Sequence, residues 1–202
     1  MRIGVDFDNT IVRYDDLFHR VASEGGLVGP ETPADKTAIR DALRRAGRED
    51  DWTRMQGVVY GTRIDEAEPF EGVLEFFAAC REAGTPASIV SHKTRHPFLV
   101  AGSGPPPDLH AAARGWLDAR GLAGAAAGVW FEGTKERKLA RIGELGATVF
   151  IDDLPEFLLE PGFPAGVERI LFDPARRYPE SDAYRKASSW REIREALLGV
   201  RR

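Results

Sequence analysis

Two acidic residues, Asp6 and Asp8, stand one residue apart at the end of the apolar run Ile3-Gly4-Val5. Asn9 and Thr10 follow them. The run reads as a short buried strand. In an open parallel sheet, ligands collect outside the carboxyl ends of strands. Both acids should therefore project into a site. Like charges this close repel unless a cation lies between them. Mg²⁺ suits such a pair, because it takes oxygen ligands and only one or two protein carboxylates. The plainer alternative is a strand-to-loop turn with solvated acids, since Asp and Asn are common turn residues.

Two more apolar stretches end in polar groups. Pro86 to Val90 ends at Ser91, and Thr148 to Ile151 ends at Asp152 and Asp153. If the three strands are neighbours, all five side chains lie along one sheet edge. A cation is available near the start of the helix before the last of these strands, as Lys138 or Lys135. Only five of the 28 basic residues are Lys, so a Lys here carries more information than an Arg would. Lys138 is preferred because it stands directly before an apolar stripe, whereas Lys135 suits surface pairing. Asp153 has two readings, support of a metal through water or capping of the next turn.

This set suits phosphoryl transfer from a monoester, which needs an in-line oxygen nucleophile, a proton donor for the leaving oxygen, and positive charge on the phosphoryl oxygens. Asp6 would attack phosphorus and form an aspartyl-phosphate. Asp8 would protonate the leaving oxygen and then deprotonate the hydrolytic water. Mg²⁺ would be held by Asp6, the backbone carbonyl of Asp8 and Asp152. Ser91 and Lys138 would contact a phosphoryl oxygen. His92 and Lys93 follow Ser91 directly, and substrate contact and loop solvation are equally good readings of them. His19, His96 and His110 lack metal-ligand spacing. Arg13, Tyr14, Gln56 and Tyr60 are candidates to read a leaving group, with core packing an equal explanation for Tyr60. Trp116 and Trp190 suit a core.

Alternating strands and helices must position these groups, which implies an α/β fold with a largely parallel sheet. Residues 13–68 read instead as a helical insertion. Its segments are Asp15 to Ala22, a helix opened by Thr32-Pro33 and running to about Ala46, and a third from about Asp50 to Val59. Pro69 to Gly72 leads into a helix that ends near Gly84. The Gly- and Pro-rich stretch from His92 to Pro107 reads as a lid-like loop. A helix over Asp108 to Arg120, a small-residue link at Ala123 to Gly128, a strand at Val129 to Phe131 and a helix capped by Thr134 follow. Glu168 to Phe172 is the expected last strand, and Arg176 to Ala187 reads as loop. Ser189-Trp190-Arg191-Glu192 is a capping box for a final helix.

The 202 residues are enough for a real core, with 43% hydrophobic and 30% charged residues. A net charge of −4, with Arg interleaved among acids, argues against a nucleic-acid binder. A single cysteine, Cys80, in an apolar segment fits a buried thiol and a reducing cytoplasm. No signal peptide or membrane-spanning run is expected.

Asp6-Phe7-Asp8-Asn9-Thr10 after an apolar strand resembles the first motif of the haloacid dehalogenase-like (HAD) superfamily. Ser91 resembles the second motif, Lys138 the third, and Phe150-Ile151-Asp152-Asp153 the fourth. The resemblance covers nearly the whole chain, in the right order. It implies a Rossmann-like three-layer core over residues 1–12 and 69–202, with residues 13–68 as a small cap. It also implies Mg²⁺ and a small phosphorylated substrate, such as a sugar phosphate or nucleotide. Asp8 resembles the phosphatase and phosphotransferase branches, because dehalogenases of the family lack that second Asp and need no metal. The alternatives are transfer to an acceptor other than water and a non-catalytic phosphate-binding module. Phospho-receiver domains also carry paired acids, but in the reverse strand order.

Overall fold

The computed structural model describes residues 1–199. In chain order the strands are β1 (Ile3–Val5), β2 (Val12–Arg13), β3 (Glu68–Pro69), β4 (Ala87–His92), β5 (Gly128–Glu132), β6 (Val149–Asp152), β7 (Glu168–Phe172) and β8 (Arg185–Ala187). The helices are α1 (Asp15–Glu24), α2 (Lys36–Arg45), α3 (Glu49–Gly57), α4 (Val73–Glu82), α5 (Leu109–Ala119), α6 (Leu122–Ala125), α7 (Lys135–Glu144), α8 (Pro155–Leu158) and α9 (Trp190–Leu198). None of the described helices is long and apolar enough to cross a membrane. The chain forms two compact units. Among the described residues, one comprises residues 1–12, 69–93 and 120–199, the other residues 13–68 and 94–119.

The first unit is an α/β Rossmann-like core. Its six-stranded sheet runs β5-β4-β1-β6-β7-β8, with every neighbouring pair parallel. The chain moves outward from β1 through β4 to β5, then returns to the far side of β1 for β6. The strand order therefore reverses beside β1, the place where α/β sheets bind ligands. Parallel strands covered on both faces are apolar throughout, and all residues of β1 and β6 are buried. On one face Val90, Phe150 and Leu171 pack with Ile142 of α7 and with Phe157 and Leu158 of α8. Successive strand residues face opposite ways, so Phe172 meets Trp190 of α9 at 5.6 Å, and Trp190 meets Phe76 of α4 at 4.9 Å. Trp190 also donates to the Thr10 carbonyl at 3.0 Å, which makes it a core residue that holds the first loop. Gly4 lets β1 lie under the Phe150 ring; a Cβ there would stand 2.5 Å from that ring. Cys80 is buried, and burial pushes its thiol up to about 11, so it is a structural thiol.

The second unit contains α1, α2, α3, α5 and a π-helical turn at Val58–Thr62. Its centre is aromatic. Phe18 stacks on Trp52 at 5.0 Å, and Tyr14 meets Tyr60 edge-on at 4.9 Å. Tyr14 and Tyr60 therefore contribute to packing, as does Trp116, whose ring nitrogen donates to the Ala67 carbonyl at 2.8 Å. The expected lid-like loop is tied at its ends, where Leu109 donates to the Arg95 carbonyl and Arg95 pairs with Asp108, at 2.8 and 2.9 Å. Gly57 admits this loop closely, since a Cβ there would lie 2.9 Å from the Cβ of Pro97.

Local corrections follow from competing caps and edge positions. The second helix begins at Lys36, not at Pro33, because Asp35 accepts from the Ala38 amide at 2.7 Å. The predicted last strand is followed by β8, inside the stretch read as loop. It is an edge strand in which only Ala187 is buried, so its polar composition hid it. The small-residue link at Ala123 contains the short α6, and α8 was too brief to leave a periodic signal.

Candidate active site

β1 ends at Val5, and the Asp6 amide continues its ladder by donating to the Ile151 carbonyl at 2.9 Å. The chain then turns sharply. Asn9 has φ 59°, a left-handed conformation that Asn tolerates better than most residues. The amides of Ile11 and Val12 both reach back to the Phe7 carbonyl. This turn carries Asp8 and Thr10 past the sheet edge. β6 delivers Asp152 at the same level, since Val5 pairs with Ile151. β4 delivers Ser91 from the other neighbour. α7 starts under the cap of Thr134, which accepts from the Arg137 amide at 3.2 Å, and brings Lys138 inward one turn later.

These groups meet. Asp6 Oδ1 accepts from Ser91 Oγ at 2.8 Å and from Lys138 Nζ at 2.7 Å. Lys138 Nζ also donates to Asp152 Oδ2 at 2.6 Å and sits 3.9 Å over the Phe157 ring. Asp152 Oδ1 accepts from the Leu154 amide at 2.9 Å and so caps the following turn. Asp153 accepts from Thr10 Oγ1 at 3.4 Å. Lys135 lies apart, paired with Glu160 at 3.2 Å on the surface. The structure thus brings Asp6, Ser91, Lys138, Asp152 and Asp153 together.

Sequence reasoning left Lys93 undecided. It is 4% exposed, and its Nζ lies 2.9 Å from both carboxylate oxygens of Asp8. Strand alternation held the signal, because Ser91 and Lys93 share one face and His92 takes the other.

Burial alone would lower the Lys138 ammonium, but the charges of Asp152 and then Asp6 outweigh it and hold the group above its ordinary value. Asp152 is driven up by burial and by Asp6, against the downward pull of Lys138.

A metal has a consistent place here. One carboxylate oxygen each from Asp6, Asp152 and Asp153 lies within 4.8 Å of the others. With all groups ionised, Asp6, Asp8, Asp152 and Asp153 outnumber Lys93 and Lys138 by two charges. The donor set is all oxygen, as Mg²⁺ requires.

The architecture matches that of solved structures over nearly their full length. A HAD-superfamily hydrolase from Ehrlichia chaffeensis aligns at TM-score 0.62 and 14% identity, covering 98% of this chain and 96% of that one. The chain has the haloacid dehalogenase-like fold. A HAD family hydrolase from Deinococcus radiodurans R1, with bound phosphate and sodium, aligns at TM-score 0.61 and 18% identity over 98% and 95% of the two chains. A HAD phosphatase from Thermococcus onnurineus aligns at TM-score 0.54 and 15% identity over 98% of each. Dehalogenases also share this HAD fold, one of them at TM-score 0.61 and 14% identity over 97% and 96%. No family model matches the chain, and no curated protein does.

Proposed function

We propose that the protein is a Mg²⁺-dependent phosphatase of a small phosphorylated metabolite, working through an aspartyl-phosphate on Asp6. The observation that carries this reading is the pair of donors on one oxygen of Asp6. Ser91 and Lys138 fix that carboxylate at the strand end, with Asp152 and Asp153 within reach of it.

A carboxylate oxygen of Asp6 forms a bond to phosphorus as the ester P–O bond breaks. The leaving oxygen keeps the electron pair and takes a proton from Asp8. Water then attacks the phosphorus of the aspartyl-phosphate. Asp8 accepts the water's proton, and inorganic phosphate departs with Asp6 restored. Ser91 donates to a phosphoryl oxygen, and Lys138 places a fixed positive charge beside it in a buried setting. Asp6, the Asp8 carbonyl and Asp152 would hold Mg²⁺, with Asp153 supporting. The ion would supply charge neutralisation between carboxylate and phosphate. Asp8 favours this chemistry over dehalogenation, which has no use for a second acid two residues on.

Residues 13–68 serve as a cap in this reading and select small substrates. The test is phosphate release from sugar phosphates, nucleotides and an aryl phosphate, with Mg²⁺ or with chelator. Release should need Mg²⁺ and vanish in Asp6→Asn. Equal release from that variant, or none from any ester by the folded wild type, would overturn the proposal.

A further inference from the structure

An acid that must deliver a proton to one oxygen gains from being held still. The side chain of Asp8 ends in a broad, nearly two-fold torsion that leaves its oxygens free to swing. Lys93 restricts that side chain. Its Nζ contacts Oδ1 and Oδ2 at the same distance, 2.9 Å, which sets the direction in which the carboxylate points.

Lys93 is itself held in place. Its amide donates to the Glu132 carbonyl at 2.9 Å, extending the β4–β5 ladder by one residue. Its Nζ lies 5.5 Å from the centre of the Phe7 ring. Its side chain is 3% exposed, whereas pairs such as Arg13–Asp16, Arg20–Glu66, Arg44–Glu49 and Arg54–Asp50 stand in solvent. A long, flexible Lys loses much rotamer freedom when buried. A surface pair would not need that immobilisation.

The partition of contacts is also telling. The two buried ammonium groups bind different acids. Lys138 takes Asp6 and Asp152, and Lys93 takes Asp8. Nucleophile and proton donor therefore have separate anchors, set on α7 and at the end of β4. We propose that Lys93 is a positioning residue for Asp8, orienting it toward the leaving-group oxygen. The inference rests on the phosphatase reading, because it assigns Lys93 a part in that reaction. It makes a distinct claim, however: Lys93 acts through Asp8 and does not bind the substrate.

Steady-state kinetics on an aryl phosphate at saturating Mg²⁺ test this with Lys93→Met, Lys93→Arg, Asp8→Asn and the double variant Asp8→Asn/Lys93→Met. Misplacing a catalytic group by about 1 Å costs on the order of 10²-fold, so Lys93→Met should lower kcat by about that factor with KM little changed. Arg offers a two-pronged fork for both carboxylate oxygens, so Lys93→Arg should recover most of kcat. Asp8→Asn should mask the second change, leaving the double variant no slower than Asp8→Asn alone. If Lys93→Met does not fold, Lys93→Gln replaces it, with one donor and an intermediate kcat expected. A raised KM at unchanged kcat, or losses that multiply in the double variant, would overturn the proposal while leaving the phosphatase standing. An inactive wild type would remove both.

Discussion

The sheet edge of the first unit and the helices of the second are both dense in ion pairs, and their distances are alike. Lys138 meets Asp152 at 2.6 Å, and Arg44 meets Glu49 at 2.7 Å. Burial separates them. The side chains are 3% and 0% exposed in the first pair, and 49% and 54% in the second. Water screens an exposed pair and competes for its partners, so its net effect on stability is small. A buried pair has lost that water and depends on its partner, so removing one member leaves a charge with nowhere to go. The second unit uses charge to solvate helices, as with Arg63 between Glu24 and Glu66. The first unit concentrates charge where the fold would otherwise bury only apolar groups.

That contrast can be broken or sharpened by substitution. Asp8→Asn should have the largest effect, a loss on the order of 10²–10⁴ in turnover, the usual worth of general acid–base help. Stopped-time phosphate assays would measure it, and full activity would remove Asp8 from the mechanism. Lys138→Met should come next. Breaking a buried pair costs about 3–5 kcal/mol, so the denaturant midpoint of metal-free protein should fall steeply. Added Mg²⁺ should restore part of that loss, because a ligand that binds only the folded state stabilises it. An unchanged midpoint would mean that the buried cluster behaves like the surface pairs. Glu49→Gln should do least, with no resolvable shift in midpoint. A large shift there would erase the distinction between the two regions.

Much of this was legible before the fold was known. The apolar strands each stop at a polar residue, and that punctuation located Asp6, Ser91 and Asp152 along one edge. The place before an apolar stripe favours Lys138 over Lys135 in the sequence, and in the structure Lys138 is buried and donates to Asp6. What stayed hidden had physical reasons. Lys93 lies one residue beyond β4, where strand alternation still operates but a sequence reads as loop. β8 is polar because it is an edge, and edges avoid apolar display. Asp35 outcompeted Thr32 for a helix cap, a contest that residue preference alone does not decide. Residues 94–119 join the second unit through contacts distant in sequence, which periodicity does not report.

The account turns on Asp6 as the atom donor to phosphorus. The most direct test is acid quench of the enzyme in turnover with an aryl phosphate and Mg²⁺, followed by mass spectrometry of the peptide containing residues 3–13. The account predicts one added phosphoryl group on that peptide, localised to Asp6 and absent from Asp6→Asn. Turnover with no phosphoryl group on Asp6, or with the label on another residue, would contradict it.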